Sequence, residues 1–153
     1  MKTIVSSEEV IRLAFSVEEH YAPTIITSDD IADVEYEYII PILGQELYDA
    51  ICGGKYKMLR DDYVAPAVAA SLRASVEPLL VGRFTECRSS KSISAADVAT
   101  RRQSLMILQR KARNLRRRMS DYIEAHAEEF SVYDLTLYPL NRCSIDGNFV
   151  QVY

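Results

Sequence analysis

From Ala95 to about Glu129 the chain runs without a proline or a glycine, and that stretch limits the folds open to it. Read as one helix it would be roughly 50 Å long at 1.5 Å per residue, more than the expected width of a domain of 153 residues. Ser94 followed by Asp97 is a capping signature for its start. Val98, Leu105, Leu108, Ala112, Leu115, Met119, Tyr122, Ile123 and Phe130 form its apolar side. The stripe is only about 100° wide, so one face packs and the rest is left to solvent or partners.

The rest of the chain is punctuated more often. Ser6 and Glu9 form a capping box ahead of a short helix over about 7–16, which Ala22-Pro23 breaks. A linker with Ile25 and Ile26 leads to a second helix starting at Thr27 or Ser28. On this helix Ile31, Val34, Tyr38 and Ile42 share one side, and Asp29, Asp30, Asp33 and Glu37 the other. Asp29 and Asp30 suit the positive end of the helix dipole. Pro41 lacks an amide proton and crowds the preceding turn, so the helix is expected to end or kink near Ile40. Gly44 can open the next helix, which carries Leu47, Tyr48 and Ile51 and stops at Gly53-Gly54.

Residues 53–60 read as a basic, tyrosine-bearing loop with Lys55, Tyr56 and Lys57. Pro66 suits the first turn of a third helix. Val64, Val68, Leu72, Val76, Leu79, Leu80 and Phe84 then repeat at spacings of three and four. Small residues between them let neighbours approach closely, which marks the centre of a bundle. A kink is expected at Pro78, and 88–94 reads as a serine-rich loop. Beyond Ser131 the pattern changes: 132–138 alternates loosely and Asp146-Gly147 is a tight-turn signal before Phe149, Val150 and Val152. The expectation is an all-α protein, a bundle of four or five helices over 1–130 with one long C-terminal helix, followed by a β-prone C-terminal tail over 131–153, extended or hairpin.

The composition excludes several classes of function. Hydrophobic residues make up 48% and charged residues 26%, as in soluble globular domains. No run approaches the ~18 apolar residues of a membrane span, and Met1-Lys2 leads straight into polar sequence, so neither a membrane partner nor a signal peptide is expected. Cys52, Cys87 and Cys143 are isolated and odd in number, which fits a reduced compartment and small buried side chains better than a disulfide framework or zinc. His20 and His126 stand apart from any carboxylate or cysteine cluster. Glu35 is followed three residues on by Tyr38, where a di-iron helix would place histidine. No nucleophile motif or Gly-rich phosphate loop occurs. No metal, cofactor or catalytic residue is therefore expected, and the chain does not read as an enzyme.

Charge is the sharper signal. The net charge is −4, but residues 1–88 hold 8 Lys/Arg against 15 Asp/Glu and residues 89–153 hold 10 against 7. Within 101–118 there is no acidic residue, and Arg102, Arg110, Arg113, Arg116 and Arg117 fall within about 120° of helix surface beside the apolar stripe. Three readings stay open: sequence-independent phosphate contacts to nucleic acid, a solvated helix face, or a subunit interface. In the last, Asp30, Asp33 and Glu37 of a neighbouring copy would be the acidic partner face. The pI of 5.2 speaks against a dedicated nucleic-acid binder. Ten tyrosines with no tryptophan add a mild interface signal.

One motif carries a resemblance. The pattern Tyr38-Ile39-x-Pro41-x-Leu43-Gly44-x-x-Leu47-Tyr48-Asp49, a helix–elbow–helix, is similar to the elbow of the small helical head–tail connector (adaptor) proteins of tailed phages and prophages. The proline-interrupted helix at Glu77-Pro78, the serine-rich loop and the long helix extend the resemblance over about 28–130. It implies a structural subunit that assembles with itself as a ring below the portal protein, completes the DNA channel without sequence-specific contact and docks neck and tail proteins. It would be made in the host bacterial cytoplasm and end at the virion head–tail junction. The charge split between the halves fits a head-to-tail ring. The alternative from the residues alone is a small helical nucleic-acid-binding or regulatory protein using 101–118.

Overall fold

The computed structural model describes residues 3–15, 26–87 and 95–138 with Asn141 and Ile145, the side chains of 79–87 and 95–97 excepted. The breaks expected at Ala22-Pro23 and 88–94, the Ser94 cap, His20, Cys143 and the turn and strand of 146–153 lie outside the described residues. Within them the chain is mostly helical. Helix α1 is Ser7–Ala14. Helix α2 spans 28–43 as Ser28–Val34, a π turn over Glu35–Ile39, and Ile40–Leu43. Helix α3 is Gln45–Cys52. Helix α4 spans 57–87 as Lys57–Leu59, a π turn over Arg60–Val64, and Ala65–Cys87. Helix α5 is Ala95–Ala125, closed by a 3₁₀ turn over Ala127–Glu129.

The caps follow the expected chemistry. Ser6 Oγ accepts from the Glu9 amide at 3.3 Å. At α2 the box is reciprocal: Thr27 Oγ1 accepts from the Asp30 amide at 3.2 Å, and Asp30 Oδ2 accepts from the Thr27 amide at 2.8 Å. Each satisfies amides that a helix start leaves without partners.

Pro66 stands in the first turn of the α-helical segment Ala65–Cys87, as expected, and Pro41 in that of Ile40–Leu43, but each segment continues directly from a π turn and not from a loop. Pro41 and Pro66 each sit two residues after a π turn, in which the Ile40 and Ala65 amides reach back five residues to the Glu35 and Arg60 carbonyls. The wider turn opens the helix where the pyrrolidine ring would crowd the carbonyl four residues back. So α2 continues through Pro41 to Leu43, and α4 begins at Lys57, within the stretch expected to be loop. The loop is only 53–56, turned by Gly54 at φ +89° and by Tyr56 in the left-handed region at φ +54°. Helix α4 likewise continues past Pro78 to Cys87.

Helix α4 is the centre of the molecule. Val64, Val68 and Leu72 are fully buried, with Ala67 and Ala69 between them, so α1, α2 and α5 can all pack on it. It runs antiparallel to α5: Tyr63 stacks on Tyr122 at 4.0 Å, while Glu77 and Pro78 lie beside Val98 and Leu105. Burying each large aliphatic side chain contributes about 1.5–3 kcal/mol. Helix α5 has 31 residues, about 46 Å. Of its apolar stripe, Ala112, Met119, Ile123 and the following Phe130 are buried and Leu105, Leu108, Leu115 and Tyr122 half-buried, whereas Val98 is exposed, as are Met106 and Ile107 outside the stripe. The core therefore holds the second half of α5.

No strand occurs among the described residues of the tail. The alternation over 132–138 loses to turn chemistry. Asp134 Oδ1 accepts from the Thr136 amide at 2.9 Å and from its hydroxyl at 2.7 Å, and the Leu137 amide donates back to the Asp134 carbonyl at 3.1 Å. This closes the backbone locally before it can pair. Tyr133 and Ile145 join the core, and Asn141 Nδ2 donates to the Ile42 carbonyl at 3.1 Å. The tail thus lies against the elbow of its own chain.

Candidate functional site

The elbow residues serve structure. Leu43 and Leu47 are fully buried, Tyr48 is buried, and Tyr38 is half-buried. Gly44 ends α2 and caps α3 with φ +74° and ψ 157°, a region essentially reserved for glycine. A Cβ there would stand 3.1 Å from Leu137 Cδ1, so the tail also closes on the bend.

Beside the elbow is a polar node that sequence reasoning missed. Glu35 is fully buried. Its Oε1 accepts from the Ile4 amide at 2.9 Å, and its Oε2 from the Tyr48 hydroxyl at 2.7 Å. On the other side of the Ile4 residue, Arg60 Nε donates to the Ile4 carbonyl at 3.2 Å, and its guanidinium pairs with Glu9. Both grips come from the first residues of the two π turns, which hold the N-terminal segment between them. Burial pushes the Glu35 carboxyl above its ordinary value, against the pull of the hydrogen bonds from Tyr48, Ile4 and Val5. Burial and then Glu35 likewise push the Tyr48 phenol up. The available signal was that Glu35 follows Ile31 by one helical turn and so falls on the apolar side.

The basic segment divides. Arg102, Arg110, Arg113 and Arg117 are exposed, as are Arg101, Lys111 and Arg118. Arg116 is half-buried, its guanidinium 4.4 Å from the centre of the Tyr38 ring. Burial, and then the nearby Arg113 charge, pull the Arg116 guanidinium below its ordinary value, while Tyr38 and Glu37 oppose them. Arg102 lines an open cleft with Glu77, Pro78 and Val98 near the start of α5. Of the acidic face, Asp33 and Glu37 are exposed; Asp30 is engaged in the α2 cap. Glu37 lies within electrostatic reach of Arg116 of its own chain.

Among the described residues no three His, Cys, Asp or Glu side chains converge as metal ligands, and no helix is long and apolar enough to cross a membrane. His126 Nδ1 lies 2.9 Å from the Tyr122 carbonyl at the end of α5, a capping contact. Cys52 is half-buried. These features define a mostly helical protein, among the described residues, whose distinctive surface is the exposed, basic face of α5. No protein family, curated protein or solved structure matches the chain significantly.

Proposed function

We propose that this protein is a structural head–tail connector subunit of a tailed phage or prophage. It associates with copies of itself in a ring below the portal, extends the DNA channel and offers a surface to neck or tail proteins. The observation that carries the reading is the first half of α5. There Val98, Met106 and Ile107 are exposed at 40%, 68% and 61%, on the same segment as Arg101, Arg102 and Arg110. Apolar side chains ringed by charge suit a protein interface, and Asp33 and Glu37 of the next copy supply the opposite sign. The elbow motif and the long helix supply the resemblance to connectors. In this reading the protein works by geometry and not by catalysis, assembling in the bacterial cytoplasm and ending at the head–tail junction of the virion.

Light scattering over a range of protein and salt concentrations tests it. The expected result is a ring-sized species that salt weakens, since exposed ion pairs are screened, and that the double substitution Arg102→Glu, Arg110→Glu disrupts. Portal protein is added where the free chain stays monomeric. A monomer that also fails to join the portal sinks the reading. If the double substitution instead abolishes nucleic-acid binding and leaves assembly unchanged, the regulatory alternative takes its place.

A further inference from the structure

The three most exposed large apolar side chains among the described residues are Tyr36 of α2, at 69%, and Met106 and Ile107 of α5. Each of these two patches is surrounded by charge of one sign. On α2 the π turn that buries Glu35 leaves the next two side chains, Tyr36 and Glu37, exposed, and π turns recur at functional sites. Asp29 and Asp33, on the turns before Tyr36, are exposed as well, and no Lys or Arg interrupts residues 28–43. On α5, Arg102 and Arg110 lie four residues to either side of Met106, with Arg113 a turn further on, all exposed. Because Tyr36 and Met106 both stay uncovered, neither packs on the other within one chain.

We infer that these patches are the two halves of one interface between copies of this chain. Tyr36 of one copy seats against Met106 and Ile107 of the next, and Asp33 and Glu37 meet Arg110 and Arg113. The inference rests on the self-association proposed above and gives it an anchor and a polarity. Charge decides the pairing. Setting α5 against α5 brings Arg102, Arg110 and Arg113 to face themselves, and α2 against α2 does the same with Asp29, Asp33 and Glu37; like charges face to face are unfavourable in both. The crossed arrangement puts opposite signs around an apolar centre, the usual make-up of an interface. Tyrosine is among the residues on which binding energy concentrates, and a thioether beside an aromatic ring is a favourable contact. Nucleic acid would satisfy the arginines through its phosphates but would leave the α2 patch uncovered. A pair joined head to tail still presents one free patch of each kind, so copies add until a ring closes.

Two double variants of the full chain, each spoiling one patch, test it: Asp33→Arg with Tyr36→Ala, and Met106→Gln with Ile107→Gln. All four side chains are exposed, so both variants should keep the wild-type thermal transition. In sedimentation velocity at low salt the wild type should associate beyond the dimer, and each variant alone should associate at least about 10-fold more weakly. Mixed in equal amounts, the variants retain one sound patch each and should form a dimer of wild-type affinity that stops at two copies. A mixture no more associated than its components, or a loss of nucleic-acid binding with association unchanged, overturns the inference. Rings that still form in both variants overturn the pairing and leave the connector reading standing. A wild-type chain that is monomeric at about 1 mM also overturns it, and the connector reading then rests on the portal test.

Discussion

Glu35→Ala should cost the fold about 3–5 kcal/mol, read as a lower denaturant midpoint at unchanged slope. The substitution leaves the Ile4 and Val5 amides and the Tyr48 hydroxyl without their acceptor in a dry interior, beside a void the size of the lost side chain. Glu35→Gln keeps the volume and isolates the ionisation. Burial raises the Glu35 carboxyl above its unfolded value of 4.5, so the folded protein holds the proton more tightly than the unfolded chain. That contribution is complete below the unfolded value and is lost as pH rises through the higher folded value. Wild-type stability should therefore fall relative to Glu35→Gln as pH rises above the unfolded value of 4.5 and through the raised folded one. A difference that stays flat or grows with pH would mean that the hydrogen bonds to the carboxylate outweigh its burial.

The second large effect belongs to the elbow. Gly44→Ala should cost about 2–3 kcal/mol, because φ +74° with ψ 157° is strained for any other residue and the new Cβ meets Leu137 at 3.1 Å. In a protein of this size that is a fall in Tm of about 4–12 °C. Gly54→Ala is the matched control: it also sits at positive φ, but nothing lies within 4 Å of its Cβ. It should lose less, by the share due to the contact with the tail. Equal losses would mean that the tail adds nothing to the elbow.

Much of the helical plan was legible because it rests on short-range chemistry. The Thr27 and Ser6 caps, the inward row of Ile31, Val34 and Ile42, and the stop at Gly53-Gly54 follow from residues a turn apart. The π turns were not legible: Pro41 and Pro66 look like punctuation until an extra residue in the preceding turn makes room for the ring. Glu35 was weighed only as a metal ligand, although its spacing from Ile31 placed it inside. Residues 132–138 alternate as a strand would, but Asp134 and Thr136 settle the backbone within three residues. The basic helix was legible as a charge pattern. That Arg116 alone turns onto Tyr38 depends on α2 packing beside α5, which no local pattern encodes.

The grip of the two π turns on Ile4 has a kinetic side. Its hydrogen bonds join residues 31 and 56 apart in sequence, and closing such long loops carries an entropic cost that grows with their length. The grip stabilises the chain only when α2 and α4 are already in place, so it should close late and open early. It is a latch on a finished frame. The Ile4 amide, deeply shielded yet held by side chains alone, should then exchange with solvent through partial openings that leave the centre of α4 protected. Hydrogen exchange at that single amide would report when the latch lifts, well before the molecule unfolds.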